Sequence, residues 1–141
     1  MTKYKKILAA VDFSEYSDVV LQAALQQAEC SGAALVALHV VDYSWPIDND
    51  YLIPPGNERE EALLNSAAGR LQETLMRLAA RDVRPLVVSG PPRQEILRVA
   101  EQEAADLIVI GAHGHHGIAG LLGSTSDRVL HQASCHVLTV R

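Results

Sequence analysis

The chain has 141 residues, a formal net charge of −5, 48% hydrophobic residues and 4% aromatic residues. This length and balance predict one globular domain, residues 1–141, that needs neither disulfides nor a metal to fold. The acidic charge and the scarcity of aromatic rings argue against a nucleic-acid partner or an anionic membrane surface. The apolar runs are also far shorter than the about 20 residues of a membrane span.

The predicted elements alternate along the chain. Short apolar runs predict strands at residues 7–11, 33–41, 84–89, 106–110 and 136–140. Apolar residues at i, i+3 and i+4 predict helices over residues 18–30, 58–81, 93–103 and 124–132. Ser14 or Ser17 is expected to cap the first helix and Gly32 to end it. Continuous apolar strands joined by helices predict an α/β, doubly wound fold, in which helices cover both faces of a parallel sheet.

The two cysteines, Cys30 and Cys135, are too far apart to form a CxxC pair, so we expect free thiols in a reducing compartment. The apolar run at residues 7–11 is too short for the core of a signal peptide. The sequence therefore predicts a cytoplasmic location.

A glycine-rich loop at residues 111–123 is the leading ligand-binding candidate. In open α/β sheets, ligands lie beyond the carboxyl ends of strands, where the strand order reverses. Five of the chain's nine glycines lie in this loop, and Ser124, Thr125 and Ser126 follow it at the start of a helix. A helix N-terminus favours an anion, so the segment predicts a phosphate site. The alternative is a loop whose glycines serve turns only.

Several nucleotide and phosphoryl motifs are absent. The chain has no GxxxxGK[ST] and no GxGxxG after the first strand, which excludes a standard phosphate loop and a Rossmann dehydrogenase. A phospho-receiver domain is excluded because Val11 and Phe13 flank Asp12, and Ser89-Gly90 follows the third strand. Backbone N–H groups, hydroxyls, a helix dipole, Arg128 and a divalent metal would have to meet the phosphate charge.

The histidines offer a second chemistry. His113, His115 and His116 could hold zinc, but the loop contains neither cysteine nor carboxylate, and adjacent histidines usually point apart. His113 is therefore expected to donate to a phosphate or to order the loop. His39 reads as a hydrogen-bonded residue of a strand, and His131 and His136 as surface residues.

Asp12 follows the first strand, beside the expected crevice. A carboxylate there can accept hydrogen bonds from a ribose hydroxyl or a base amine. It can equally be a helix-cap or turn residue, and the spacing leaves both readings open.

The chain as a whole resembles the universal stress protein family. The resemblance rests on six segments taken in order, namely residues 6–14, 38–42, 88–96, 106–114, 123–124 and 135–140. It implies a five-stranded parallel sheet in the order 3-2-1-4-5, with Asp12 opposite the glycine loop. It also implies an adenine nucleotide, ATP, ADP or AMP, bound with Mg²⁺ or Mn²⁺ in a regulatory stress-response protein.

By the same resemblance, Asp12 and the backbone of Val40 hold adenosine. The ribose and phosphates are surrounded by Gly111, His113, Gly114, Gly123, Ser124 and Thr125. The family pattern G-x2-G-x9-G-[ST] is shortened here, because eight residues separate Gly114 from Gly123. Family members also pair their last strands, here residues 136–140, into homodimers, and an exposed apolar edge strand has its own reason to pair. The alternatives are a slow ATPase or other phosphoryl-transfer enzyme, and a nucleotide-free dimeric interaction module.

Overall fold

The computed structural model describes residues 3–42, 57–112 and 124–141. The elements follow in the order β1 (Lys6–Ala10), α1 (Ser17–Ser31), β2 (Ala34–Val41), α2 (Asn57–Arg77), β3 (Val83–Ser89), α3 (Pro92–Gln102), β4 (Leu107–Gly111), α4 (Ser124–Gln132) and β5 (His136–Val140). All strand pairs are parallel, and the sheet order is β3-β2-β1-β4-β5. The predicted α/β fold and strand order are confirmed.

Two layers of apolar side chains form the core, one on each face of the sheet. On one face, Ile7 of β1 packs with Leu21 of α1 and Leu71 of α2. On the other face, Ile108 of β4 packs with Val129 of α4 and with side chains of α3. Each of these residues is fully buried, and burial of such a side chain stabilises the fold by about 1.5–3 kcal/mol. The sheet is therefore doubly wound, with α1 and α2 on one face and α3 and α4 on the other.

The start of α1 differs from the sequence prediction. Its N-cap residue is Tyr16, which makes no side-chain capping hydrogen bond, so capping by Ser14 or Ser17 was wrong. The hydroxyl of Ser17 instead donates to Asp12, and the hydroxyl of Ser14 accepts from the N–H of Tyr16 at 3.3 Å, before the helix begins. The predicted end is confirmed, because Gly32 has φ +65° and its N–H donates to the carbonyl of Ala28.

The ends of α2 and α3 use alanine where glycine is usual. Helix α2 ends at Arg77 rather than at the predicted residue 81, because Ala79 adopts φ +55°. The N–H of Ala80 then donates to the carbonyl of Leu75 at 2.9 Å. Ala104 ends α3 in the same way, with φ +53°. Alanine carries no stop signal in a sequence, because L side chains disfavour this backbone conformation.

Other expectations concern single side chains. Both cysteines are free thiols, as expected, and burial raises the pKa of the half-buried Cys135. His131 and His136 are exposed, as predicted. In the part of the chain that the structure describes, every helix is too short or too polar to cross a membrane.

Candidate functional site

The strand order reverses between β1 and β4, and this creates a crevice at their carboxyl ends. The chain leaves β1 toward the face covered by α1, whereas α4 covers the opposite face. Ala9 of β1 is in register with Val109 of β4. Their pairing ends there, while β4 stays paired with β5 as far as Gly111, so β1 and β4 separate beyond this level. The residues that follow the two strands therefore meet at the place where doubly wound sheets bind ligands.

Asp12 is half-buried at the exit from β1 and holds the turn into α1. Its Oδ1 accepts a hydrogen bond from the N–H of Ser14 at 2.9 Å and another from the hydroxyl of Ser17 at 3.4 Å. Asp12 is therefore a turn residue, which is one of the two roles that the sequence left open. Its position at the end of β1 also puts it beside the crevice, so the turn role does not exclude the ligand-binding role.

Val40 of β2 directs its backbone toward the same place. The N–H of Val11 donates to the carbonyl of Leu38 at 2.8 Å. Because alternate residues of a strand face opposite neighbours, the backbone N–H and C=O of Val40 also face the β1 side of β2. Strand β1 has ended at that level, so these groups face the segment that contains Asp12.

The other wall of the crevice is formed by β4 and α4. Gly111 is the last residue of β4, rather than the first residue of a loop as predicted. Its carbonyl accepts a hydrogen bond from the hydroxyl of Ser126 in the first turn of α4. The amino end of α4, with Ser124 and the half-buried Thr125, therefore lies beside the end of β4. N–H groups in the first turn of a helix attract anions.

Phe13 and His39 belong to this region, although the sequence analysis did not assign them to the site. His39 Nδ1 donates to the carbonyl of Val11 at 2.8 Å, which agrees with its reading as a hydrogen-bonded strand residue. Its ring stacks on Phe13 with a centroid distance of 4.0 Å. The guanidinium carbon of Arg70, from α2, lies 4.5 Å from the Phe13 ring centroid. The signal in the sequence was an aromatic residue directly after Asp12.

The carboxyl ends of β2 and β3 are joined to each other and to α2 by hydrogen bonds. The N–H of Gly90 donates to the carbonyl of Val41 at 2.9 Å. The hydroxyl of Ser89 donates to the carboxylate of Glu60 in α2 at 2.8 Å. An open groove beside Met76 and Pro85 lies at the amino end of β3, away from the crevice.

Three of the predicted site residues, His113, Gly114 and Gly123, lie outside the described residues, as do His115 and His116. The side chain of Ser124 is also outside the description, although its backbone begins α4. Within ranges 3–42, 57–112 and 124–141, no three histidine, cysteine or acidic residues are grouped as a metal site would require. The structure therefore brings together Asp12, Val40, Gly111 and Thr125 at one edge of the sheet.

Comparison with known proteins gives consistent matches over the whole chain. Universal stress protein A homolog 1 of Coxiella burnetii is 36% identical over 139 residues, which span 97% of this chain and 96% of that protein. Universal stress protein A homolog 2 of the same organism is 37% identical over 142 residues, which span 100% of this chain and 97% of that protein.

Solved structures agree with the sequence matches. Universal stress protein UspA from Lactobacillus plantarum superposes with a TM-score of 0.81 at 28% identity and 100% coverage of both chains. A universal stress protein in complex with cAMP has a TM-score of 0.71 at 24% identity, over 99% of each chain. One from Archaeoglobus fulgidus in complex with dAMP has a TM-score of 0.63 at 19% identity, over 99% of this chain and 100% of that chain. At the identities of the last two, the likeness concerns the fold. The family model described as the universal stress protein family matches residues 3–141, and this chain belongs to that family.

Proposed function

We propose that this protein binds an adenine nucleotide, ATP, ADP or AMP, in the crevice between β1 and β4, and that it regulates a stress response rather than catalysing a reaction. The observation that carries the proposal is that Asp12 follows β1 where β1 and β4 cease to pair, while Ser126 holds the amino end of α4 against Gly111 at the end of β4. A carboxylate and a helix N-terminus thus face one crevice. A nucleoside phosphate needs both, because its hydroxyls and amines donate hydrogen bonds and its phosphates accept them.

In this proposal the ends of β1 and β2 hold the nucleoside. Asp12 accepts hydrogen bonds from the ribose hydroxyls or a base amine, and the backbone of Val40 contacts the adenine. The ribose and phosphates are surrounded by Gly111, His113, Gly114, Gly123, Ser124 and Thr125. Glycine suits such positions because it lets a phosphate approach the backbone N–H groups.

Two of the structural relatives hold ligands that contain adenine, cAMP in one and dAMP in the other. Their likeness to this chain goes as far as the fold, so they support the fold as a binder of this ligand class. The individual residue assignments depend instead on the geometry at Asp12, Val40 and Gly111. The relatives thus support the class of ligand, and the geometry of these three residues supports the proposed location.

The proposed Mg²⁺ or Mn²⁺ would be bound mainly by the nucleotide. The residues that the structure describes include no cluster of three potential metal ligands. Mg²⁺ usually keeps several waters and takes its remaining ligands from substrate phosphates and one or two protein groups. The donor set fits that mode, in which Asp12 and the hydroxyls at the start of α4 are the available oxygen ligands. The cation would neutralise phosphate charge, because no lysine follows Lys6 in the sequence to do so.

We also propose a homodimer that pairs the two β5 strands, His136–Val140, in antiparallel fashion. Strands β3 and β5 are the two edges of the sheet.

The two edge strands differ in their outward backbone donors. On β3, the N–H of Gly90 points to β2, so by alternation Pro85 faces outward. Proline has no N–H, so this position offers no donor at the open edge. On β5, the carbonyl of Val140 accepts from Ala112 of β4, so the outward residues are Val137 and Thr139. Both carry an N–H group, and an edge with such donors can extend into a second copy.

The test of nucleotide binding uses Asp12→Asn, followed by isothermal titration with AMP and with ATP and Mg²⁺. Asparagine retains an acceptor oxygen for Ser14 and Ser17 and favours the same kind of turn, so the fold is kept while the charge is lost. We expect the Kd for AMP to rise about tenfold, which corresponds to about 1.4 kcal/mol.

The matched control is Asp106→Asn, which removes the same charge at the opposite end of the sheet and is expected to leave the Kd unchanged. Titration of the parent with GMP tests base selectivity, and mass spectrometry of the denatured protein tests for co-purified adenine nucleotide. An unaltered protein that binds neither AMP nor ATP at millimolar concentrations contradicts the proposal.

A further inference from the structure

Phe13 has an uncommon backbone conformation, directly beside Asp12. Its φ is +62°, in the left-handed region that L residues other than glycine, asparagine and aspartate seldom adopt. The turn made there returns the N–H of Ser14 to Oδ1 of Asp12 at 2.9 Å. It also brings Ser17, which donates its hydroxyl to the same oxygen. The direction of the Asp12 carboxylate therefore depends on the backbone of Phe13.

Side chains from two other elements hold the Phe13 ring. The ring of His39 in β2 stacks on it at 4.0 Å with an interplanar angle of 26°. The guanidinium of Arg70 in α2 lies over it at 4.5 Å, where a cation is attracted to the aromatic face. These contacts favour the side-chain position that accompanies the left-handed backbone.

His39 contacts the residues on both sides of Asp12. Its ring stacks on Phe13, and its Nδ1 lies 2.8 Å from the carbonyl oxygen of Val11. Because a carbonyl accepts and never donates, Nδ1 must carry a proton. One histidine of β2 thus fixes the chain before and after the carboxylate.

We propose that Phe13 is a positioning residue for Asp12, held in its left-handed conformation by His39 and Arg70. The inference rests on the proposed function, in which Asp12 contacts the nucleotide. Phe13 acts through Asp12, because its ring packs toward α2 and β2 while its backbone sets the turn. A carboxylate fixed before binding loses less conformational freedom when the ligand arrives.

The first test compares Phe13→Gly with Phe13→Tyr. Glycine accepts φ +62° without strain but removes the ring, whereas tyrosine keeps the ring. The readout is amide hydrogen exchange at Ser14, measured by NMR and normalised to the core amide of Val109. We expect exchange at Ser14 to be about tenfold faster in Phe13→Gly and unchanged in Phe13→Tyr. Equal protection in Phe13→Gly and the parent overturns the proposal, because the turn then holds Asp12 without the ring.

A second variant guards against misfolding of the first. Arg70→Ala changes an exposed residue of α2 to the best helix former, so the helix is kept. Its matched control is Glu73→Ala, one turn along the same helix. Faster exchange at Ser14 in Arg70→Ala, with no change in Glu73→Ala, supports the role of Arg70. Equal exchange in the two variants overturns it.

Titration with AMP separates this inference from the proposed function. If the parent binds AMP and Phe13→Gly binds it about tenfold more weakly, both are supported. If the two proteins bind AMP equally, the positioning role is overturned and the proposed function stands. If the parent fails to bind AMP, the proposed function fails, and so does the positioning role toward a nucleotide. The exchange rate at Ser14 still decides whether Phe13 fixes the Asp12 turn.

Discussion

The hydroxyl of Ser126 donates a hydrogen bond to the carbonyl of Gly111, which joins the first turn of α4 to the last residue of β4. Ser126 is only 9% exposed. The N–H of the next residue, Ala112, is held by the carbonyl of Val140 in β5 at 2.8 Å. Ala112 and the first turn of α4 are therefore both held at the carboxyl end of β4.

Ser126→Ala is expected to destabilise the fold, because it leaves the carbonyl of Gly111 without this donor. Loss of such a bond at a buried position lowers the free energy of unfolding by about 1–2 kcal/mol. Urea denaturation of the two proteins measures the difference. Ser134→Ala, at an exposed position, is the control and should change stability by less than about 0.5 kcal/mol. Equal effects of the two substitutions would contradict a structural role for this bond.

Gly90 and Gly69 are expected to respond in opposite directions to alanine. Gly90 has φ +139°, and a Cβ there would lie 2.9 Å from Cγ of Glu95, so Gly90→Ala should destabilise the protein by about 1–3 kcal/mol. Gly69 lies in the interior of α2, and a Cβ there meets no atom of the described residues within 4 Å. Gly69→Ala should therefore stabilise the protein by about 0.5–1 kcal/mol. Thermal unfolding of the two variants tests the pair. If both substitutions shift the unfolding midpoint in the same direction, the opposite roles assigned to Gly90 and Gly69 are contradicted.

The sequence predicted the nine elements found among the described residues because their hydrophobic periodicity agrees with their final burial. Leu71 and Leu75 follow the helical spacing of α2 and are buried, and β5 has the predicted bounds. The errors fall where tertiary contacts override local signals. Ala79 ends α2 in a conformation that glycine normally provides. Tyr16 takes the N-cap position, while the hydroxyl of Ser17 bonds to Asp12 and that of Ser14 accepts from the N–H of Tyr16.

The candidate site could be located from the sequence only in part. Position alone placed Asp12 and Gly111 at the strand ends, because strand boundaries can be read from apolar runs. The contacts of Phe13 with His39 and Arg70 join three separate elements, and no local pattern predicts which side chains meet across a sheet. His39 was recognised as a hydrogen-bonded residue, but its acceptor, the Val11 carbonyl, depends on the register of β1 and β2.

The carboxylate of Asp106 is predicted to make the stability of the folded protein depend on pH. Its carboxylate accepts hydrogen bonds from the N–H groups of Lys5 at 2.8 Å and Lys6 at 3.0 Å. Burial raises the pKa of Asp106, but interactions led by the hydrogen bonds from the backbone of Lys5 and Lys6 lower it by more than burial raises it. The net pKa therefore lies below the ordinary value. Because the folded-state pKa is the lower one, the stabilisation is complete above the unfolded-state pKa of about 3.9. It is lost as the pH falls through the folded-state pKa.

Asp106→Asn should therefore reduce stability by about 1 kcal/mol at pH 7, after allowance for its partial exposure. The difference between parent and variant should shrink as the pH falls below about 4. Urea denaturation at a series of pH values measures it, and Asp82→Asn, at an exposed residue, is the control. A difference that grows toward acid would contradict the assigned direction of the pKa.

Thr139→Pro is expected to convert the proposed dimer to a monomer. By the alternation along β5, the N–H of Thr139 points away from β4, so proline there removes a donor from the open edge and keeps the β4–β5 ladder. The matched control is Val87→Pro, which removes an outward N–H from the other edge strand, β3, where Pro85 already interrupts the donors. Analytical ultracentrifugation should give a monomer for Thr139→Pro and a dimer for Val87→Pro and the parent. A monomeric parent would contradict the dimer itself, and a dimeric Thr139→Pro would place the interface away from β5.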